Sequence, residues 1–188
     1  MKLFYKIILF LMGWRAEKKF PHHIKKAIVI AGPHTSAWDF VISIAFRSAL
    51  GMNNAKFLGK EELFNGPFGF LFRWLGGTPV NRYSKTGLVD QVVEKFNSTD
   101  ELLIGLSPEG TRKKVDKLKS GFYYMAQKAT VPIIMMGLDY EHKRLTISDP
   151  FYTSESQDED FKKIIQYFGK IKGKRPELGL QDLMQKTI

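Results

Sequence analysis

The chain has 188 residues, of which 44% are apolar and 13% aromatic, so it can bury one substantial core in a single domain. It contains no cysteine, which excludes thiol catalysis, disulfides and Cys-ligated zinc. The formal net charge of +10 favours an anionic partner, either nucleic acid or a phosphate-bearing lipid, small molecule or acidic protein.

The first thirty residues are strongly basic, with seven lysines and arginines against Glu17 alone. Residues 3–12 form an apolar run that is shorter than the roughly 20 residues of a transmembrane helix, and a poor signal-peptide cleavage site follows it. Two interpretations stay open: a helix docked on the protein's own core, or one in a membrane interface with Trp14 at headgroup level. We favour the interface, which makes residues 1–20 a candidate anchor and residues 21–188 the main domain.

Short β-like runs alternate with helical patterns along the rest of the chain. The predicted strands are 27–31, 55–58, 78–80, 102–106, 132–138 and 144–148. The predicted helices are 37–50, 67–75, 85–96, 120–129 and 159–169. This alternation predicts an α/β fold in one domain, with a mostly parallel or mixed central sheet and helices on both faces.

His34 and Asp39 follow the first of these strands and are five residues apart. Within one helix they would project about 140° apart, whereas a His in the loop and an Asp in the first helical turn can meet. A carboxylate on one ring nitrogen fixes the tautomer and leaves the other nitrogen to take a proton from a hydroxyl or thiol. The structural alternative is a helix capping box formed by Ser36 and Asp39, in which the carboxylate satisfies backbone amides.

A second polar motif, Ser-Pro-Glu-Gly-Thr-Arg at 107–112, follows the predicted strand 102–106. Ligands of open α/β sheets gather at the carboxyl ends of the strands, so both motifs are predicted at one edge of the sheet. An ordinary turn is the alternative here, because proline and glycine also punctuate loops for backbone reasons alone.

Four blocks in order resemble the glycerolipid acyltransferase family, which includes the 1-acylglycerol-3-phosphate O-acyltransferases. They are His34-x4-Asp39, the Gly-Gly-Thr-Pro-Val-Asn-Arg run at 76–82, Pro-Glu-Gly-Thr-Arg at 108–112, and Val-Pro-Ile at 131–133. The chain departs from the family pattern at Asn81, where Asp is common, and at Met135, where a second proline is frequent. The resemblance implies the glycerol-3-phosphate acyltransferase type of α/β fold, with residues 21–188 as the acyltransferase domain.

The resemblance also implies an O-acyltransferase that moves a fatty acyl group from acyl-CoA or acyl carrier protein to a hydroxyl of a phosphate-bearing lysolipid, similar to 1-acylglycerol-3-phosphate. His34 would be the general base and Asp39 its orienter. A thioester is already activated, so the reaction needs a base and oxyanion donors and no serine or cysteine nucleophile. The chain lacks a GxSxG elbow as well. No metal or tightly bound cofactor is expected.

Several residues of these blocks are predicted to bind substrate. Arg82 and Arg112 are candidates for the phosphate, since guanidinium makes planar, permanently charged contacts to phosphate oxygens. Glu109 would be repelled by a phosphate, so we expect it to pair with an arginine or to accept from the acceptor hydroxyl. The remaining candidates are Gly110 and Thr111 of the third block, and Lys60 at the end of strand 55–58, which is as readily an exposed lysine.

The expected partners are the lysolipid acceptor, the acyl donor and an anionic membrane surface, with the protein cytoplasmic and peripheral on the inner face of the membrane. A second basic cluster at 112–119 agrees with these partners. Nucleic acid is not expected, because no nucleic-acid motif accompanies the charge. The aromatic-rich stretch 64–75 predicts either core packing or an apolar wall for an acyl chain or bilayer. Two other functions stay open: a non-catalytic lipid-binding module on the same fold, and an acyl-thioester hydrolase.

Overall fold

The computed structural model describes residues 2–80 and 87–187, and its described strands form one seven-stranded sheet. The strands are β1 (Arg15–Ala16), β2 (Lys26–Gly32), β3 (Ala55–Lys60), β4 (Gly77–Val80), β5 (Leu102–Leu106), β6 (Ile133–Asp139) and β7 (Arg144–Ile147). Their order across the sheet is β1-β7-β6-β2-β5-β3-β4. Neighbouring strands are parallel, except for the antiparallel pair of β6 and β7.

Eight helices belong to the described ranges. They are α1 (Lys2–Leu11), α2 (Trp38–Ala49), α3 (Glu61–Asn65), α4 (Gly69–Trp74), α5 (Leu88–Asn97), α6 (Gly121–Ala129), α7 (Gln157–Phe168) and α8 (Gln181–Thr187), with a 3₁₀ turn at Pro176–Leu178. The predicted single-domain α/β fold with a mostly parallel sheet is therefore confirmed. The predicted helix 67–75 is shorter in the structure, and residues 85 and 86 of the predicted helix 85–96 lie outside the described residues.

The sheet separates two apolar cores. Along β2, Ile28 and Ile30 belong to the core under α5, α6 and α7, whereas Ala27 and Val29 belong to the core under α1 and α2. This division follows from strand geometry, because successive side chains point to opposite faces of a sheet. With both faces covered, β2 is a nearly continuous apolar run, as central parallel strands are.

The register of β2 and β5 brings the two sequence motifs together. The strands are paired in parallel from Lys26 with Leu102 to Ile30 with Leu106, so they end at the same edge of the sheet. The loop that carries His34 leaves β2 at this edge, and the loop that carries Glu109 leaves β5 beside it. The predicted common edge is therefore confirmed.

Helix α1 has one packed side and one open side. Leu9 is buried in the core under α2, while the most exposed large apolar side chains of α1 are those of Phe10 and Leu11, at 79% and 77%. The sequence left open whether this helix docks on the core or lies in a membrane interface. In the structure, one side of α1 docks on the core and the other side faces outward. Among the described helices, none has the length and hydropathy needed to cross a membrane.

Candidate active site

His34 and Asp39 form a pair at the carboxyl end of β2. His34 lies in the loop and Asp39 in the first turn of α2, and the distance from His34 Nδ1 to Asp39 Oδ2 is 3.2 Å. The Asp39 side chain is 3% exposed, and that of His34 is 27% exposed. Because Nδ1 faces the carboxylate, Nε2 is the ring nitrogen available to a substrate proton.

Three further donors hold the Asp39 carboxylate. The amides of Thr35 and Ser36 each donate to Oδ2 at 2.7 Å, and the Tyr140 hydroxyl donates to Oδ1 at 2.8 Å. Burial works against the charged carboxylate, but the hydrogen bonds from His34, Ser36, Tyr140 and Thr35 outweigh it and hold the pKa of Asp39 below its usual value. One carboxylate thus satisfies backbone amides at the helix start and contacts the histidine as well.

Glu109 ties the two loops together. Its Oε1 accepts from the His34 amide at 2.8 Å, and its Oε2 accepts from the Ser107 hydroxyl at 2.6 Å. The residue is 2% exposed, and this burial raises the pKa of its carboxyl above the usual value. These are the partners that the structure shows for Glu109 among the described residues. The expected contact with an arginine or with the acceptor hydroxyl stays a prediction. The buried carboxyl takes the donors of its own loop and of the adjacent loop, which face it across the sheet edge.

Of the other predicted binding residues, the structure places only some at the cavity. Gly110 has a φ of +66° and lies at the cavity, where its positive φ suits a residue without a side chain. The Thr111 hydroxyl accepts from the Lys113 amide at 3.3 Å. Arg112 is exposed and is not among the residues that line the cavity. Arg82 lies outside the described residues, and so does the side chain of Lys60, so their phosphate contacts stay predictions.

A largely apolar cavity of about 450 Å³ opens beside the His34–Asp39 pair. Part of it runs between α2 and the sheet, with Phe40, Ser43 and Ile44 on the helix side and Val29 and Gly105 on the strand side. Gly105 leaves room here, because the nearest neighbour of an added Cβ would be the Lys56 carbonyl at 3.6 Å. Another part reaches the other core; its lining includes Leu58, Leu88, Leu106, Phe122 and Met125.

Two residues of the site carried no functional prediction from the sequence. Ser107 directly precedes the third block, and its hydroxyl donates to Glu109. Tyr140 reaches Asp39 from 101 positions further along the chain, and no local pattern links such distant residues. The arrangement as a whole offers a buried carboxylate, a partly exposed imidazole and an apolar cavity beside them. Such a site can deprotonate a hydroxyl next to a long apolar chain.

The sequence model of the family described as Acyltransferase matches residues 15–139. The match spans well over half of the chain, so the chain belongs to this family and is an acyltransferase. The predicted family and the predicted enzyme class, an O-acyltransferase, are confirmed.

Among solved structures, the fold is similar to that of the 1-acyl-sn-glycerophosphate (LPA) acyltransferase PlsC from Thermotoga maritima. The TM-score is 0.61 at 20% sequence identity, and the match covers 88% of this chain and 74% of that one. This likeness establishes a shared fold. No curated protein sequence matches the chain.

Proposed function

We propose that the protein transfers a fatty acyl group from a thioester to a hydroxyl of a phosphate-bearing lysolipid, with 1-acylglycerol-3-phosphate as the model acceptor. The observation that carries this proposal is the contact between a His–Asp pair and an apolar cavity. Acyl transfer to a lipid alcohol requires a base and a binding site for the acyl chain. The His34 imidazole can supply the base, and the apolar cavity can bind the chain.

In the proposed reaction, His34 Nε2 takes the proton of the acceptor hydroxyl while that oxygen attacks the thioester carbonyl. A C–O bond forms, and collapse of the tetrahedral intermediate then breaks the C–S bond. The leaving thiolate takes the proton back from His34. The Asp39 carboxylate stabilises the imidazolium between these two proton transfers and keeps Nδ1 protonated.

The proposed acyl pocket is the part of the cavity between α2 and the sheet. Its lining consists of apolar side chains together with Ser43 and the backbone at Gly105. Burial of an alkyl chain there contributes about 0.8 kcal/mol per methylene. A substrate with a long chain is therefore favoured over one with a short chain.

For the acceptor phosphate, we propose Arg82 and Arg112, with Lys60 as a further candidate. Three cations that line the cavity, Arg47, Lys56 and Lys119, add positive charge at the same site. The named function of the Thermotoga maritima protein, an LPA acyltransferase, supports a lysophosphatidic acid acceptor for this chain. We propose acyl-CoA or acyl carrier protein as the donor and no metal or tightly bound cofactor.

We further propose that the protein works on the cytoplasmic face of an anionic membrane as a peripheral protein. Large apolar side chains are exposed on α4 and beside it, including Phe68 at 64%, Phe70 at 71% and Trp74 at 59%, in addition to those of α1. Exposed apolar groups on this scale mark an interaction surface. The formal charge of +10 attracts anionic headgroups to the same protein.

The test is transfer of labelled acyl-CoA, and separately labelled acyl carrier protein, to a panel of lysolipids that includes lysophosphatidic acid. We expect transfer to an acceptor with a phosphate and slow release of free fatty acid. Release of fatty acid at the same rate with and without acceptor would make the protein a thioester hydrolase. Binding to anionic vesicles without transfer or hydrolysis would make it a lipid-binding module.

A further inference from the structure

Tyr140 directly follows β6 and lies one residue beyond the segment that matches the family, yet its hydroxyl donates to Asp39 Oδ1 at 2.8 Å. We propose that Tyr140 is a positioning residue for the catalytic base, which fixes the Asp39 carboxylate so that its other oxygen stays on His34. This inference rests on the proposed function, in which His34 is the base.

The two carboxylate oxygens of Asp39 have different partners. Oδ2 receives His34 Nδ1 and the amides of Thr35 and Ser36, all from its own loop. The partner that the structure shows for Oδ1 is Tyr140, from the far end of β6. Tyr140 therefore holds the carboxylate plane from the side opposite the loop, so that the oxygen facing His34 Nδ1 does not tilt away from the ring.

Tyr140 keeps the proton that it donates. Burial, together with the hydrogen bond and the charge of Asp39, raises the pKa of the Tyr140 hydroxyl far above its ordinary value. The hydroxyl therefore stays protonated at neutral pH and remains a hydrogen-bond donor. A phenol that stays protonated suits a residue that orients a carboxylate and does not exchange protons with the substrate.

The ring and the backbone of Tyr140 are both held in place. The ring meets Trp14 edge to face, with 4.9 Å between centroids, and the Tyr140 amide donates to the Lys172 carbonyl at 2.9 Å. The same C-terminal segment then reaches the His34 loop, because the Arg175 amide donates to the Thr35 hydroxyl at 3.2 Å. The position of the Tyr140 hydroxyl is therefore set from two sides.

Tyr140→Phe removes the hydroxyl and keeps the ring against Trp14. The matched control is Tyr123→Phe, because Tyr123 also donates to a buried aspartate, Asp160 at 3.0 Å, and does not line the cavity. In Y140F we expect kcat to fall about 5- to 30-fold, less than for full loss of a hydrogen bond to a charge because the loop amides still hold Asp39, with both KM values within about twofold. In Y123F we expect unchanged kcat and a lowered melting temperature.

The pH dependence gives a second readout. If Tyr140 no longer holds the carboxylate on His34, the imidazolium loses part of its stabilisation, so the acid limb of kcat/KM moves to lower pH in Y140F. The titratable and charged groups that the structure shows around the pair are Tyr140 itself, Glu109 from the loop after β5, and Arg47, Lys56 and Lys119 at the cavity. Both variants retain Glu109 and the three cations, so the shift reports on Tyr140.

A kcat of Y140F equal to wild type, or a loss confined to KM, would overturn the inference. Nitrogen NMR of the His34 ring supplies a test that needs no turnover: we expect the Nδ1-protonated tautomer in wild type and in Y123F, and a mixture in Y140F. The same tautomer in all three proteins would also overturn it. Absence of acyl transfer in wild type would instead refute the proposed function. The tautomer of His34 can be measured in either case, so the two failures are distinguishable.

Discussion

Two His–Asp pairs lie within the described residues, and they differ in their surroundings. His34 Nδ1 is 3.2 Å from Asp39, and His142 Nδ1 is 2.7 Å from Asp139. The second pair is the shorter one, but it lies on the turn between β6 and β7, and the His142 side chain is 52% exposed. By distance alone, the pair on the turn would be the stronger candidate.

The surroundings separate the two pairs. Asp139 also accepts from the Arg144 guanidinium at 3.1 Å, so its charge is already neutralised by a permanent cation. Although burial opposes ionisation of Asp139, its hydrogen bonds from His142 and Arg144 hold its pKa below the ordinary value. The donors that Asp39 receives besides His34 are neutral, and an apolar cavity opens beside that pair. A carboxylate without a cation can stabilise an imidazolium that forms during a reaction, which is why we assign catalysis to the first pair.

Replacement of each aspartate by asparagine should show which of the two pairs takes part in catalysis. Among the variants that keep both histidines, we expect the largest effect here. Asp39→Asn removes the charge that stabilises the His34 imidazolium, so we expect kcat to fall about 100-fold. Asp139→Asn should leave kcat within about twofold and lower the free energy of unfolding by about 1–3 kcal/mol, because Arg144 loses a charged partner. Steady-state kinetics and urea denaturation measure the two effects. An equal loss of kcat in both variants would contradict the comparison.

The cavity is the next difference to test. Gly105→Leu places a side chain in the proposed acyl pocket, where an added Cβ has the Lys56 carbonyl as its nearest neighbour at 3.6 Å. We expect kcat/KM for long-chain donors to fall about tenfold relative to short-chain donors, since a few methylenes lose their site. Competition between donors of different length in one assay gives this ratio directly. Gly105→Ala serves as the control and should leave the ratio unchanged.

The smallest effect is expected from Glu109→Gln. Glutamine can accept from the His34 amide and donate to the Ser107 hydroxyl, so the loop contact is retained and kcat should fall less than about fivefold. Glutamine also removes the carboxyl whose pKa burial raises. A group with a raised pKa stabilises the fold most when protonated, so wild type should be most stable relative to E109Q at acid pH and lose this advantage as pH rises through that pKa.

Urea denaturation of wild type and E109Q at several pH values checks that sign. A stability difference that is independent of pH would show that Glu109 ionises at its ordinary pKa. A loss of kcat as large as that of D39N would indicate that Glu109 contacts the substrate, as the sequence had suggested.

The fold and the first pair were predictable because the information is local. The strand 102–106 and the helix that carries Asp39 show in the order of apolar residues, and the two motifs stand directly after strands. The elements that were not predicted are short and hold too few residues for a period to appear: Arg15–Ala16, Glu61–Asn65, Pro176–Leu178 and Gln181–Thr187. The contact of Tyr140 with Asp39 and that of Glu109 with the His34 amide depend on which strands are neighbours in the sheet. The order of residues in the sequence does not give the order of strands in the sheet.

The central claim is that His34, and not His142, is the catalytic base. It is tested most directly by one acyl-transfer assay with wild type, His34→Ala and His142→Ala on the same donor and acceptor. We predict that H34A loses about 10²- to 10⁴-fold in kcat/KM, as for loss of a general base, while H142A stays within about twofold of wild type. Full activity in H34A, or an equal loss in H142A, would contradict the account.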